Sequence, residues 1–261
     1  MFKKLLRESD RPLIGTFVKI PTLEVAEILA TAGFGFVVID TEHAPLSVRD
    51  VYTMVVGYSR MGVAPLVRIT DHGYGDAQRY LDAGAAGILV PHVENVEQAR
   101  AVFSHLQFPP DGSRGMGYSA RAGLWGALDG GAPEYVRVGR EDVARIAMIE
   151  DPGAVESLAD IVRAPGLDGV FIGPGDLSLT QGLAMNSPEI KELVTKAIGT
   201  AVAAGTPVGT VVAGADAIRE RLEQGCSFIM VSNDTGMILD GAARAVGQAR
   251  EALEAFQAAV K

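Results

Sequence analysis

Several charged residues in this chain stand directly after short apolar runs, where a side chain can be held rigidly and still meet a ligand. In GVFIGPGDLS, 169–178, the run Val170–Ile172 stops at Gly-Pro-Gly and Asp176 follows at once. The pattern predicts a buried strand, a tight turn and a helix opening at Asp176–Ser178. The first N–H groups of such a helix have no helical partner and can hold an anion. Asp176 would add a carboxylate over the same spot, which makes sense with a divalent cation between the two. An Asp that only caps the helix is the plainer alternative. Glu150 closes another apolar run. Two carboxylates converging at hydrogen-bond range repel unless a cation or a proton intervenes. With no His or Cys at either strand end, oxygen ligands favour Mg²⁺ or Mn²⁺. A shared proton, or pairing with Arg, stays open.

His43 follows Asp40 by three residues, with Glu42 between them. A neutral imidazole near carboxylates can serve as a general base around pH 7, although a loop histidine making one hydrogen bond is also consistent. Arg68 ends a further run. Its permanent charge can fork onto a carboxylate or an enolate oxygen, or pair with Asp40 or Glu42. Lys19 lies on the same side of its strand as Phe17 by alternation. If Phe17 faces the mouth of the fold, Lys19 does too. An unpaired buried charge is costly, so Lys19 either pairs with Glu42 or Asp234 or receives a ligand. His72, His92 and His105 lack such company and read as structural.

The elements that must position these residues are legible as a repeat. Helix-like segments end at Gly33, Gly84, Gly205 and Gly225, and a β-rich apolar run follows each. Such glycines suit the left-handed position that ends a helix. The runs suit parallel strands covered on both faces. Eight strands are predicted: 13–19, 35–40, 64–69, 87–91, 145–150, 169–173, 208–213 and 228–232. Helical patterns fall at 23–31, 47–60, 74–82, 96–105, 154–162, 188–204, 215–224 and 237–259. Eight such alternations point to one (β/α)₈ barrel domain over residues 1–261. An open doubly wound sheet would call for a glycine-rich loop after strand 1, where the chain reads FVKIPTLEV. In a barrel, Lys19, Asp40, Arg68, Glu150 and Asp176 share the rim at the strands' carboxyl ends, where barrel enzymes place their chemistry. The long connection 107–142 carries Arg114, Tyr118, Arg121 and Trp125, and reads as a binding loop.

Composition narrows the partners. The net charge of −9 and a pI near 5.0 argue against nucleic acid and anionic membranes. One cysteine, Cys226, sits in an apolar run and excludes an intrachain disulfide. The stretch MFKKLLRESDRP has two lysines but no long apolar region and reads as a poor signal peptide, and no run approaches the roughly 18 apolar residues of a membrane span, so a cytoplasmic location is expected.

The motifs GTFVKIP at 15–21, FVVIDTEHAPLS at 36–47, PLVRI at 65–69, LDAGAAGILVPHVEN at 81–95, GSRGMG at 112–117, AMIE at 147–150 and DGVFIGPGDLS at 168–178 resemble the HpcH/HpaI aldolase family, the metal-dependent class II pyruvate aldolases. The resemblance runs nearly end to end. It implies a (β/α)₈ barrel whose last helix packs on a neighbouring subunit, in a homohexamer built as a trimer of dimers. It implies a divalent ion (Mg²⁺, Mn²⁺ or Co²⁺) held by Glu150 and Asp176, and a cradle for the pyruvate carboxylate at Gly175 and the backbone after it. His43 would be the base, with Asp40 beside it and Asp82 raising its basicity. Arg68 would stabilise the enolate. The substrates would be a 4-hydroxy-2-keto acid, cleaved to pyruvate or a close 2-keto acid such as hydroxypyruvate, and an aldehyde.

The chain departs from the family pattern at four places. Met148 stands where Gln is frequent and contacts substrate, and a thioether cannot make that amide's hydrogen bonds. Gly175 is often Ala, Asp151 stands where Thr is usual, and Lys19 replaces a small residue. Phe17, Lys19 and Met148 are therefore placed with the substrate, and the aldehyde partner stays open. Three rivals remain: a Schiff-base aldolase using Lys19, a citrate-synthase-like condensing enzyme using an oxaloacetate- or pyruvate-derived enolate, and a non-catalytic barrel that binds 2-keto acids.

Overall fold

The computed structural model describes residues 1–72 and 74–260. Eight parallel strands close on themselves in sequence order: β1 (Leu13–Val18), β2 (Phe36–Asp40), β3 (Ala64–Arg68), β4 (Gly87–Val90), β5 (Ala144–Ile149), β6 (Gly169–Ile172), β7 (Val208–Val211) and β8 (Phe228–Asn233). Since β1 pairs with both β2 and β8, the sheet has no edge, and the open-sheet alternative is excluded. The helices are α1 (Phe2–Glu8), α2 (Leu23–Thr31), α3 (Val48–Arg60), α4 (Tyr74–Asp82), α5 (Val96–His105), α6 (Gly131–Glu141), α7 (Pro152–Ile161), α8 (Pro174–Gln181), α9 (Pro188–Ala203), α10 (Ala215–Glu223) and α11 (Asp234–Val260).

Alternation along each strand sorts its side chains into two cores. Val37, Ile39, Val67 and Ile149 point outward into the layer shared with the helices. Phe36, Val38, Leu66, Ile146, Met148, Phe171 and Phe228 fill the barrel interior. Both faces are buried, which explains why the strands read as continuous apolar runs. Inside, the rings of Phe36 and Phe228 pack edge to face at 5.9 Å. A Cβ at position 15 would stand 2.4 Å from the Phe36 ring, so Gly15 is required by close approach. The short N-terminal helix α1 was not legible in the sequence. It carries Phe2, fully buried, onto Phe36 and Phe228 at 5.0 and 5.5 Å and plugs the amino-terminal end of the barrel.

The connection 107–142 joins α5 to the start of β5, so it lies at the amino-terminal end of the barrel, opposite the predicted site. It is not an open loop. It forms a 3₁₀ turn at Arg121–Gly126 and the helix α6. Arg114, buried, lies over the Phe108 ring and donates to Asp82 and Tyr135. Arg121 donates to the carbonyl of Ala83. Within one chain these residues hold the barrel floor, so the segment read as a binding loop is packed at the end of the barrel away from the rim residues.

The last helix is unusual for a barrel. From Ile238 to Ala259 every residue of α11 except Gly247 is exposed, with Leu239, Leu253 and Phe256 each at 60% or more. The outer face of β1 and β8, which an eighth barrel helix would cover, is left open. Arg11, Pro12, Leu13, Ile14, Ile218, Leu222, Ile229 and Val231 line an apolar groove of about 340 Å³ there. Among the described residues no helix is long and apolar enough to cross a membrane.

Candidate active site

The strand register assembles the rim. Asp40 pairs with Arg68 across β2 and β3, and both side chains point inward above Val38 and Leu66. Arg68 forks onto Asp40, with Nε to Oδ1 at 3.0 Å and Nη2 to Oδ2 at 2.8 Å. Its remaining amino group, Nη1, lies 2.8 Å from Glu42 Oε2. Beneath, the guanidinium lies 4.8 Å over the Phe17 ring, and Phe17 packs edge-on against Phe171.

Asp40 is fully buried, which alone would push its carboxyl up. The hydrogen bonds and charge of Arg68, the His43 N–H and the Lys19 charge outweigh burial and hold it below the usual carboxylate range. Its Oδ1 also accepts the backbone N–H groups of Glu42 and His43, at 3.2 and 3.1 Å. This turn folds the loop after β2 back over the rim. It presents the His43 ring to solvent, 3.8 Å from Glu42 Oε2. Asp40 therefore meets the backbone of His43.

Lys19 follows β1, whose register sets Phe17 against Val38, so two residues on it reaches Asp40. Its Nζ lies 3.5 Å from Asp40 Oδ2. The partners expected were Glu42 or Asp234. Asp234 instead takes the backbone N–H of Lys19 at 2.8 Å.

On the other side, Glu150 follows β5 and is nearly buried. Burial pushes its carboxyl up; the His92 N–H and charge oppose that, and the charges of Asp176 and Glu42 add to it. Asp176 is the third residue of α8, behind Pro174 at the first turn, and the residue before that helix, Gly173, has no side chain with which to cap it. The N–H groups of Gly175 and Asp176 therefore lack helical acceptors. A Cβ at Gly173 would meet Glu150 Cβ at 3.0 Å, a tight approach that would push on the Glu150 side chain, whereas a Cβ at Gly175 meets nothing within 4 Å. Met148, buried, lies two residues below Glu150 in the barrel interior.

His92 belongs to the site, contrary to its reading as structural. It takes a left-handed conformation, φ 54°, just past β4. Its N–H donates to Glu150 Oε1 at 2.7 Å. Its ring spans the gap, Nδ1 at 3.1 Å from Glu150 Oε1 and Nε2 at 3.0 Å from Glu42 Oε1. A positive φ on a non-glycine residue is the kind of strain that gathers at functional sites, but nothing in the sequence announces it.

Asp82 is not brought to His43 within one chain. It ends α4, ahead of β4, and so lies at the opposite end of the barrel, on the order of 20 Å away for strands of this length. Its Oδ1 accepts from Tyr135 Oη at 2.9 Å and Arg114 Nη2 at 3.1 Å.

The arrangement can bind an oxyanion beside a cation. Four carboxylates (Asp40, Glu42, Glu150, Asp176) surround two basic side chains, Arg68 and Lys19, leaving hard oxygen donors in excess at the Glu150 side. Those donors fit Mg²⁺, Mn²⁺ or Co²⁺. No cluster of three or more His, Cys, Asp or Glu among the described residues is disposed to chelate an ion, so water or substrate would complete the shell.

Comparison with known proteins agrees with this geometry. Residues 13–241 match the family model described as HpcH/HpaI aldolase/citrate lyase. The chain is 35% identical to a 2-dehydro-3,6-dideoxy-6-sulfogluconate aldolase of Pseudomonas putida, over 91% of this chain and 92% of the relative. It is 36% identical to a 4-hydroxy-2-oxo-heptane-1,7-dioate aldolase of Salmonella typhimurium, over 92% and 91%. The crystal structure of an HpcH/HpaI aldolase/citrate lyase family protein from Burkholderia cenocepacia superposes with a TM-score of 0.88 at 30% identity, covering 95% of this chain and 98% of that one. The chain belongs to the HpcH/HpaI aldolase/citrate lyase family, and is a carbon–carbon lyase of its class II pyruvate aldolase branch.

Proposed function

We propose that the chain cleaves, and in reverse forms, a 4-hydroxy-2-keto acid, giving pyruvate or a close 2-keto acid such as hydroxypyruvate, and an aldehyde. The observation that carries this reading is the pairing, across one barrel mouth, of an acidic half (Glu150, Asp176) with a buried guanidinium (Arg68). Glu150 and Asp176 hold the divalent cation, which when bound supplies Lewis-acid stabilisation of negative charge on a 2-keto oxygen.

The chain's own residues do the rest. The unpaired N–H groups at Gly175 and Asp176 hold the 2-keto acid's carboxylate at the positive end of α8. Arg68, fixed by Asp40 and Glu42, aims its outer N–H groups at the keto oxygen, where the electron pair of the breaking C3–C4 bond arrives. His43 takes the proton from the 4-hydroxyl and returns it in synthesis. Phe17 and Met148 form the apolar floor under the methylene carbon, which after cleavage takes a solvent-derived proton on its open face to complete the released 2-keto acid. Lys19 receives an anionic or hydroxylated end of the aldehyde. If Asp82 serves His43, it does so from another copy of the chain.

That copy is part of the reading. In proteins most helical stability comes from packing an apolar face, and α11 packs almost none of its own against this chain. Seating an exposed Leu or Phe on a partner is worth about 1.5–3 kcal/mol each. The face of α11 carrying Ile238, Leu239, Val246, Leu253 and Phe256 matches in character the groove left open over β1 and β8, so α11 fills that groove on a neighbouring subunit in a homohexamer.

The test is pyruvate release from a panel of 4-hydroxy-2-keto acids, with and without EDTA. Release from at least one member, abolished by EDTA and restored by Mg²⁺, Mn²⁺ or Co²⁺, is expected. Full activity in a demonstrably metal-free preparation sinks the metal assignment, and no release from any member sinks the aldolase assignment.

A further inference from the structure

Asp234 is buried to 1%, and its carboxylate accepts three backbone N–H groups. Oδ2 takes those of Lys19 and Ile20, both at 2.8 Å, and Oδ1 that of Thr235 at 2.8 Å. The first two lie just past β1 and the third in the first turn of α11. A buried carboxylate satisfied this way is strongly held, because losing a partner leaves a charge without solvation. The chain on both sides of the clamp is irregular. The register between β1 and β8 shifts between Gly15 and Phe17, and Ser232 sits at φ 54°. The β1–β2 register carries Lys19 to the side of Asp40, but the ladder on its other side, toward β8, is broken, and there the two hydrogen bonds that Asp234 accepts fix the backbone of Lys19 and Ile20 instead. They hold the Lys19 ammonium 3.5 Å from Asp40, the carboxylate on which Arg68 is forked.

We propose that Asp234 is a positioning residue of the active site: it sets the direction of Lys19 across the barrel mouth, and through Lys19 the preference for the aldehyde. The second half rests on the reading of Lys19 as the group that receives the aldehyde's polar end. The first half does not.

The experiment uses the intact, metal-loaded protein and Asp234→Asn. The amide keeps one acceptor oxygen but turns an NH₂ toward an N–H, so it can hold only one side of the clamp. Lys19 is labelled without substrate by an amine-acetylating reagent and read by mass spectrometry, with Lys4 as the internal reference. At least a three-fold faster labelling of Lys19 relative to Lys4 is expected in the variant. Deuterium exchange into the pyruvate methyl group should stay within two-fold of wild type. The KM for succinic semialdehyde should rise several-fold while that for propionaldehyde does not, and adding Lys19→Ala should raise it no further, as for two residues acting in series. Should Asp234→Asn not fold, Asp234→Glu, which keeps the charge and displaces the acceptor, takes its place in every arm. Unchanged labelling of Lys19, or effects that add to those of Lys19→Ala, overturn the proposal. Faster labelling with an unchanged aldehyde KM upholds the positioning role and overturns the assignment of Lys19 to the aldehyde.

Discussion

Replacing Arg68 with alanine should cost stability and activity by separable routes. Asp40 has no exposed surface, and Arg68 supplies both of its charged hydrogen bonds. Removing one partner of a buried ion pair costs about 3–5 kcal/mol. Asp40 keeps the N–H groups of Glu42 and His43 and the more distant Lys19, which places the loss near the lower end, about 3 kcal/mol. For a domain of this size that is a fall in Tm of about 6–12 °C. Asp40→Asn in the same chain removes the stranded charge, so the double variant should recover about 2 kcal/mol of the loss, a coupling expected of residues in direct contact. Activity should not recover, because the guanidinium is gone. The assay is urea unfolding of wild type, both single variants and the double variant, with deuterium exchange of pyruvate alongside. The acid limb gives a second reading. The pKa of Asp40 is held below its unfolded value near 4, so its contribution is present above pH about 4 and is lost as pH falls through the lower, folded value. Wild type should lose stability over that range, and the double variant should lose less. Strictly additive ΔΔG values, or an Arg68→Ala variant as stable as wild type, refute the reasoning; wild-type exchange in Arg68→Ala refutes the role at the enolate.

Two further outcomes are expected. Glu150→Gln should fold with an unchanged or raised Tm in metal-free buffer, since burial disfavours the Glu150 carboxylate, and should lose Mn²⁺ binding in a titration followed by electron paramagnetic resonance; wild-type Mn²⁺ affinity would remove Glu150 from the metal site. Leu253→Asp with Phe256→Asp should release smaller species in light scattering while leaving the barrel's near-ultraviolet signal intact, and an unchanged mass would show that α11 does not hold the assembly.

The barrel was legible because its signals are local. A strand buried on both faces must be an apolar run whatever lies beside it, and a helix that ends before such a run needs a residue tolerant of φ > 0, as at Gly33 (φ 95°) and Gly225 (φ 96°). Given eight runs, the fold itself says that residues at their carboxyl ends meet, and Lys19, Asp40, Arg68 and Glu150 do gather there with Asp176. What the sequence could not carry is which of them touch. The two-residue period sends Asp40 and Arg68 inward, but their fork depends on the β2–β3 register. His92 looked idle because its partners, Glu42 and Glu150, are 50 and 58 residues away and reach it only through a backbone strain invisible in the sequence. Phe2 plugs the barrel from outside the repeating pattern, and Asp82 falls to the opposite end from His43 because a helix that follows one strand ends beside the start of the next. Local pattern determined the elements and the end of the barrel where charge collects. Register, strand closure and the exposed path of α11 decided the contacts, since each is set by residues distant in the chain whose energies appear only once the whole is packed.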